Sequence, residues 1–161
     1  MIKVKDLSYS YPNSDIEVLK NLNFEIKEWE IFGFLWPSWS WKSTTQKILY
    51  KILWDFKGDI IIWDQHLKTL WKDYLYKIWV GFELPNHYLK LSWKENIELF
   101  WGFYEKSKLI DINKLFEMVW LEEYMDMKVD EYSKGMKMRL NFIRAIIHDP
   151  DILFFDEPTS W

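Results

Sequence analysis

The apolar and polar positions change period along the chain, and the changes mark its elements. Ile2 and Val4 alternate with Lys3 and Lys5, which predicts a strand over Ile2–Tyr9. Tyr11-Pro12-Asn13-Ser14-Asp15 is turn chemistry. Val18, Leu19, Leu22, Phe24 and Ile26 predict a second strand, closed by a tight turn at Lys27-Glu28-Trp29-Glu30 where Gly suits better than Trp. Ile31–Leu35 is a short apolar run that predicts a buried strand, and Lys42–Leu53 reads as a helix with Ile48, Leu49 and Ile52 on one face. Ile60-Ile61-Ile62 predicts a strand ending in a Trp63-Asp64 hairpin turn, and Ile78–Phe82 predicts another.

From Ser92 the period becomes helical. Ser92-Trp93-Lys94-Glu95 matches a capping box, and Ile97, Phe100, Trp101 and Tyr104 continue one stripe. A second helix starts at Asp111, with Leu115, Met118 and Val119 inward, and stops at Trp120, a position that favours left-handed Gly. A third runs from about Ser133 through Met136, Leu140, Ile143 and Ile147 to Asp149-Pro150. Ile152–Phe155 predicts a last strand, followed by Asp156-Glu157-Pro158-Thr159-Ser160-Trp161. Strands interleaved with helices define an α/β chain carrying a helical insert.

Composition adds one anomaly. The 161 residues hold 12 Trp but only 5 Gly, the reverse of the ordinary ratio. A net charge of −4 argues against a general positive field for nucleic acid, so no nucleic acid partner is expected. No Cys is present, which excludes a disulfide framework and suits a reducing compartment. The first residues lack a signal-type apolar core, and no apolar run reaches the ~18 residues of a membrane span. His66, His87 and His148 show no metal-ligand spacing and read as surface residues.

The anomaly concentrates at Trp36-Pro37-Ser38-Trp39-Ser40-Trp41-Lys42-Ser43-Thr44. With Gly at each Trp the run becomes GPSGSGKST, a phosphate-binding loop of the pattern G-x-x-x-x-G-K-S/T. Such loops need Gly because converging backbone N–H groups leave no room for Cβ and demand φ > 0 at some positions. Lys42 would reach the β/γ-phosphates, Ser43 would face Mg²⁺, and the helix N-terminus would add its dipole. A UGA codon read as Trp where the cell reads Gly gives this pattern, and some bacterial lineages read UGA as Gly. Trp29, Trp63 and Trp120 stand at turn and C′ positions that favour Gly too. Trp54, Trp71, Trp79 and Trp93 are neutral, and Trp101, inside an apolar stripe, fits as a genuine Trp.

The loop, then Tyr132-Ser133-Lys134-Gly135-Met136, then Ile152–Glu157 stand in an order that resembles the nucleotide-binding subunit of an ATP-binding-cassette (ABC) transporter. The resemblance covers the whole chain. The middle motif departs from the family's Leu-Ser-Gly-Gly-Gln at Tyr132, Lys134 and Met136 and keeps Ser133 and Gly135. Its Ser-Lys-Gly-Met form resembles exporter subunits. The resemblance implies an α/β P-loop NTPase with an N-terminal antiparallel β portion and an inserted α-helical subdomain. It divides the chain into a nucleotide-binding core, 1–91 with 132–161, and an insert, 92–131. It also implies ATP hydrolysis, with ATP on residues 36–44 and Tyr11 stacked on adenine; Tyr9 competes for that place. Asp156 and Glu83 would hold Mg²⁺ with Ser43, and Glu157 would polarise the attacking water beside Glu83 and Lys42. Ser133 and Gly135 would meet ATP held by a second ATPase subunit, identical or not. The helical insert would dock on transmembrane permease subunits, which places the protein in the cytoplasm on the inner face of the cell membrane. The family's usual continuation past Trp161 marks the chain as truncated. Two other readings stand beside this one: a non-hydrolysing interaction module if Trp is real, and a soluble cassette ATPase of DNA repair or translation.

Overall fold

A computed structural model describes residues 1–34, 39–70, 72–81, 87–104 and 109–155, with Trp39 and Ser40 as backbone only. It contains two compact units, Met1–Tyr74 and Leu75–Trp161.

The first unit is built on a four-stranded antiparallel sheet. β1 (Ile2–Ser10) lies between β2 (Glu17–Ile26) and β3 (Lys57–Ile62), and β4 (Gln65–His66) pairs with β3. The alternation read from the sequence faces Ile2, Val4, Ile60 and Ile62 into the core. β1 shifts register against both neighbours near Asp6, and Gly58 opposes that irregularity at φ 89°. A Cβ on Gly58 would stand 2.4 Å from the Asp6 carbonyl oxygen, so only glycine fits the bulge. Trp63 and Asp64 both have positive φ, 48° and 61°, the geometry of a type I′ hairpin turn.

Helix α1 (Trp39–Leu49) fully buries Ile48 and Leu49, each stabilising the unit by about 1.5–3 kcal/mol. It ends four residues before the sequence predicts. Lys51 turns left-handed, φ 64°, and donates its ammonium to the carbonyl oxygens of Leu67 and Leu70. Ile52 is thereby thrown into solvent, 56% exposed, rather than joining the apolar face. Residues Ile31–Phe34 form no strand: Ile31 is fully exposed, Phe32 stacks on Phe24, and Phe34 stands edge-on to Phe24, instead of entering a sheet. Phe34 is also edge-on to Trp41, 5.5 Å away, so aromatic packing has replaced strand pairing. Leu35 lies outside the described residues.

The second unit pairs β5 (Ile78–Gly81) in parallel with β6 (Ile152–Phe155), a pairing that requires a long crossover. A short helix, α2 (Lys72–Tyr76), precedes β5, and α3 (Trp93–Trp101), α4 (Ile112–Met118) and α5 (Lys134–Ile146) supply the crossover. Both halves of the predicted capping box form at α3: Glu95 N–H donates to Ser92 Oγ, 3.2 Å, and Ser92 N–H donates to Glu95 Oε2, 2.6 Å. Asp111 caps α4 by accepting from Asn113 N–H. Phe116 rather than Met118 joins Leu115 inside, because α4 turns Met118 outward. Trp93, Ile97, Leu115, Phe116, Leu140 and Ile143 form the centre of this core.

Two histidines depart from the surface reading. His148 is buried, stacked on Tyr104 with centroids 4.3 Å apart, and donates from Nε2 to the Ile78 carbonyl. His87 is half-buried and donates to the Lys137 carbonyl at 3.1 Å. His66 remains exposed.

Candidate functional site

The candidate nucleotide site is described in part. Trp36, Pro37 and Ser38 lie outside the described residues, as do Glu83, Asp156 and Glu157; of Trp39 and Ser40 only the backbone is described. What remains is the first turns of α1. Lys42 and Ser43 are half-buried there, and Thr44 and Thr45 are buried. Thr45 donates from Oγ1 to the Trp41 carbonyl, the usual way a mid-helix threonine satisfies its hydroxyl.

Tyr11 is joined to this helix. Its hydroxyl and Thr44 Oγ1 are 2.9 Å apart, and its ring stands edge-on to Tyr9 with centroids 5.1 Å apart. Tyr9 is 5% exposed, so its faces are committed to the core, whereas Tyr11 keeps part of its surface open. Burial and the neighbouring Tyr11 and Asp55 raise the Tyr9 pKa.

A helix N-terminus bearing Lys42 and Ser43 suits a phosphate and a hydrated divalent cation. The indole of Trp41 does not, since it sets apolar bulk in the turn where converging backbone N–H groups are needed. Among the described residues no cluster of His, Cys, Asp or Glu could hold a metal ion.

The second motif opens α5. Ser133 is its N-cap, accepting from Met136 N–H at 3.2 Å, and Ser133, Lys134 and Gly135 are all exposed. A Cβ built on Gly135 meets nothing within 4 Å among the described residues, so no such contact demands glycine there. Tyr132, next to the cap, is buried and donates its hydroxyl to the Tyr124 carbonyl.

Two polar arrangements escaped the sequence reading. Asn96 is fully buried: its Oδ1 accepts from Tyr88 N–H, and its Nδ2 donates to the Tyr88 and Ser92 carbonyls. Arg144, 9% exposed, donates to Asn141 and lies over the rings of Phe100, 4.7 Å, and Trp79, 5.5 Å. The signal was available in both cases, a polar residue set inside a helical apolar stripe.

An antiparallel sheet beside a lysine-bearing helix, and a parallel pair crossed by helices, are features of a P-loop NTPase of the ATP-binding-cassette kind, and comparison with known proteins shows that class. The profile of the ABC transporter family matches residues 19–160, and the chain belongs to that family. It is 42% identical over 160 residues to a fluoroquinolones export ATP-binding protein of Mycobacterium tuberculosis, covering 99% of this chain and 53% of that protein. It is 31% identical over 166 residues to the bacitracin transport ATP-binding protein of Bacillus licheniformis, covering 99% and 52%. Its fold is similar to a dimeric ATP-binding cassette solved in a post-hydrolysis state with ADP and Pi. There the TM-score is 0.73, the identity 28%, and the coverage 99% of this chain and 75% of that one. The chain thus spans about half the length of the curated relatives it matches. No helix among the described residues is long and apolar enough to cross a membrane.

Proposed function

We propose that this chain is the nucleotide-binding part of an ATP-hydrolysing subunit that powers an exporter. The observation that carries the reading is the 42% identity, along nearly the whole chain, to an export ATP-binding protein. ATP binds at the N-terminus of α1 once glycine stands at 36, 39 and 41. There Lys42 neutralises phosphate charge and Tyr11, anchored through Thr44, lies under adenine. Ser43, Asp156 and Glu83 hold Mg²⁺, whose charge offsets that of the phosphates. Glu157 orients the attacking water. The chemistry is positioning and charge neutralisation without a covalent intermediate.

Two subunits close head to tail, each presenting Ser133 and Gly135 to ATP on the other. The exposed cap of α5 and the open space at Gly135 support this. Residues 92–131 form the helical insert that meets membrane-spanning permease subunits, and 1–91 with 132–161 form the core. The protein works in the cytoplasm at the inner face of the membrane. The test uses the full-length protein with glycine at 36, 39 and 41. Ser133→Arg is expected to abolish turnover while ATP binding stays nearly intact. Joint loss of both would remove the head-to-tail arrangement.

A further inference from the structure

We infer that the cell builds this protein with glycine at positions 29, 63 and 120, and through the same codon at the loop positions 36, 39 and 41. Among the described residues nine non-glycine positions have positive φ. Five are Asn or Asp, one is Lys51, and three are Trp29 (61°), Trp63 (48°) and Trp120 (54°). Asn and Asp tolerate that region; a bulky side chain there is an outlier. Trp36, Trp71 and Trp161 lie outside the described residues, so three of the nine other tryptophans are left-handed. At a few per cent per non-glycine residue, chance gives this less than about once in a hundred chains.

The three settings are unrelated, yet each wants glycine. Trp29 occupies a turn closed by Lys27 N–H donating to Glu30, 2.7 Å, and its side chain is 101% exposed. Trp63 opens the type I′ turn between β3 and β4. Trp120 follows α4 at the C′ position and is 77% exposed, so no burial offsets its backbone strain.

The inference stands on φ angles and does not need the site to bind nucleotide; its consequence for phosphate at 36–41 does rest on the proposed function. The test is peptide mass spectrometry on the protein isolated from its own cells, with sequencing of the gene. Glycine masses at 29, 63 and 120 and UGA codons are expected; tryptophan masses or UGG codons overturn the inference. Separately, Trp29→Gly, Trp63→Gly and Trp120→Gly in the chain as written are expected to raise the thermal midpoint, and a fall in all three overturns the backbone reading. Glycine masses in a protein that fails to bind ATP would remove the proposed function and leave this inference standing.

Discussion

Replacing Asn96 with leucine removes the side chain that ties residue 88 to α3. Three hydrogen bonds disappear, at 2.9, 3.0 and 2.9 Å, but they do not count equally. The Tyr88 carbonyl still accepts from Leu91 N–H, and the Ser92 carbonyl still accepts from Asn96 N–H, so neither acceptor is orphaned. Tyr88 N–H loses its acceptor in this part-buried bond, which costs about 1–2 kcal/mol, and the two other bonds are worth about 1 kcal/mol each. Leucine recovers roughly 1–2 kcal/mol by apolar burial. The net loss is about 2 kcal/mol, or a fall of roughly 4–8 °C in Tm for a chain of this size. Thermal unfolding followed by circular dichroism measures it. Asn96→Asp sharpens the test. It keeps an acceptor for Tyr88 N–H but turns a carboxylate oxygen towards two carbonyls in a buried site. The folded-state pKa of that Asp therefore lies above its unfolded value. The folded variant binds its proton more tightly, so the penalty is smallest below about pH 4 and grows as pH rises through the folded pKa. Leucine at least as stable as asparagine, or an aspartate variant that tracks the parent at every pH, would refute the reasoning.

Buried His148 and half-buried His87 set an acid limit. Burial, aided by the Arg144 charge, pushes His87 down from 6.5 to about 4, and burial lowers His148 as well. The His87 contribution is complete above pH ~6.5 and fades as pH falls towards 4, so His87→Gln should flatten the stability-against-pH curve there, read by denaturant titration. Ser133→Ala is expected to lower stability by about 1 kcal/mol through loss of the α5 cap, again by denaturant titration. In the full-length protein with glycine restored, Glu157→Gln should retain ATP and slow hydrolysis by orders of magnitude, while Asp156→Asn weakens Mg²⁺-dependent binding; a phosphate-release assay separates them.

Local rules carried furthest where they had a short-range cause. The capping box at Ser92, the cap at Asp111 and the β1–β3 strands follow from periodicity and side-chain chemistry within a few residues. The run Ile31–Phe34 looks like a buried strand in isolation, but a strand needs a partner, and here Phe24, Phe32, Phe34 and Trp41 find one another first. Ile52 was misread because Lys51, a good helix former, is pulled left-handed by two distant carbonyls. Arg144 lies over Phe100 and Trp79, and His148 bonds the Ile78 carbonyl 70 residues away, partners that no local window contains. Of the candidate site, the α5 cap was legible, while the loop motif falls partly outside the described residues. The link from Tyr11 to Thr44 was not legible, since it spans 33 residues.

Isothermal titration of Mg-ATP into the full-length protein tests the central claim most directly, comparing glycine with tryptophan at 36, 39 and 41. The glycine form is expected to bind at micromolar concentration, to lose that binding in Lys42→Ala, and the tryptophan form to show no heat of binding. A glycine form that ignores ATP, or a tryptophan form that binds it equally well, would contradict the account.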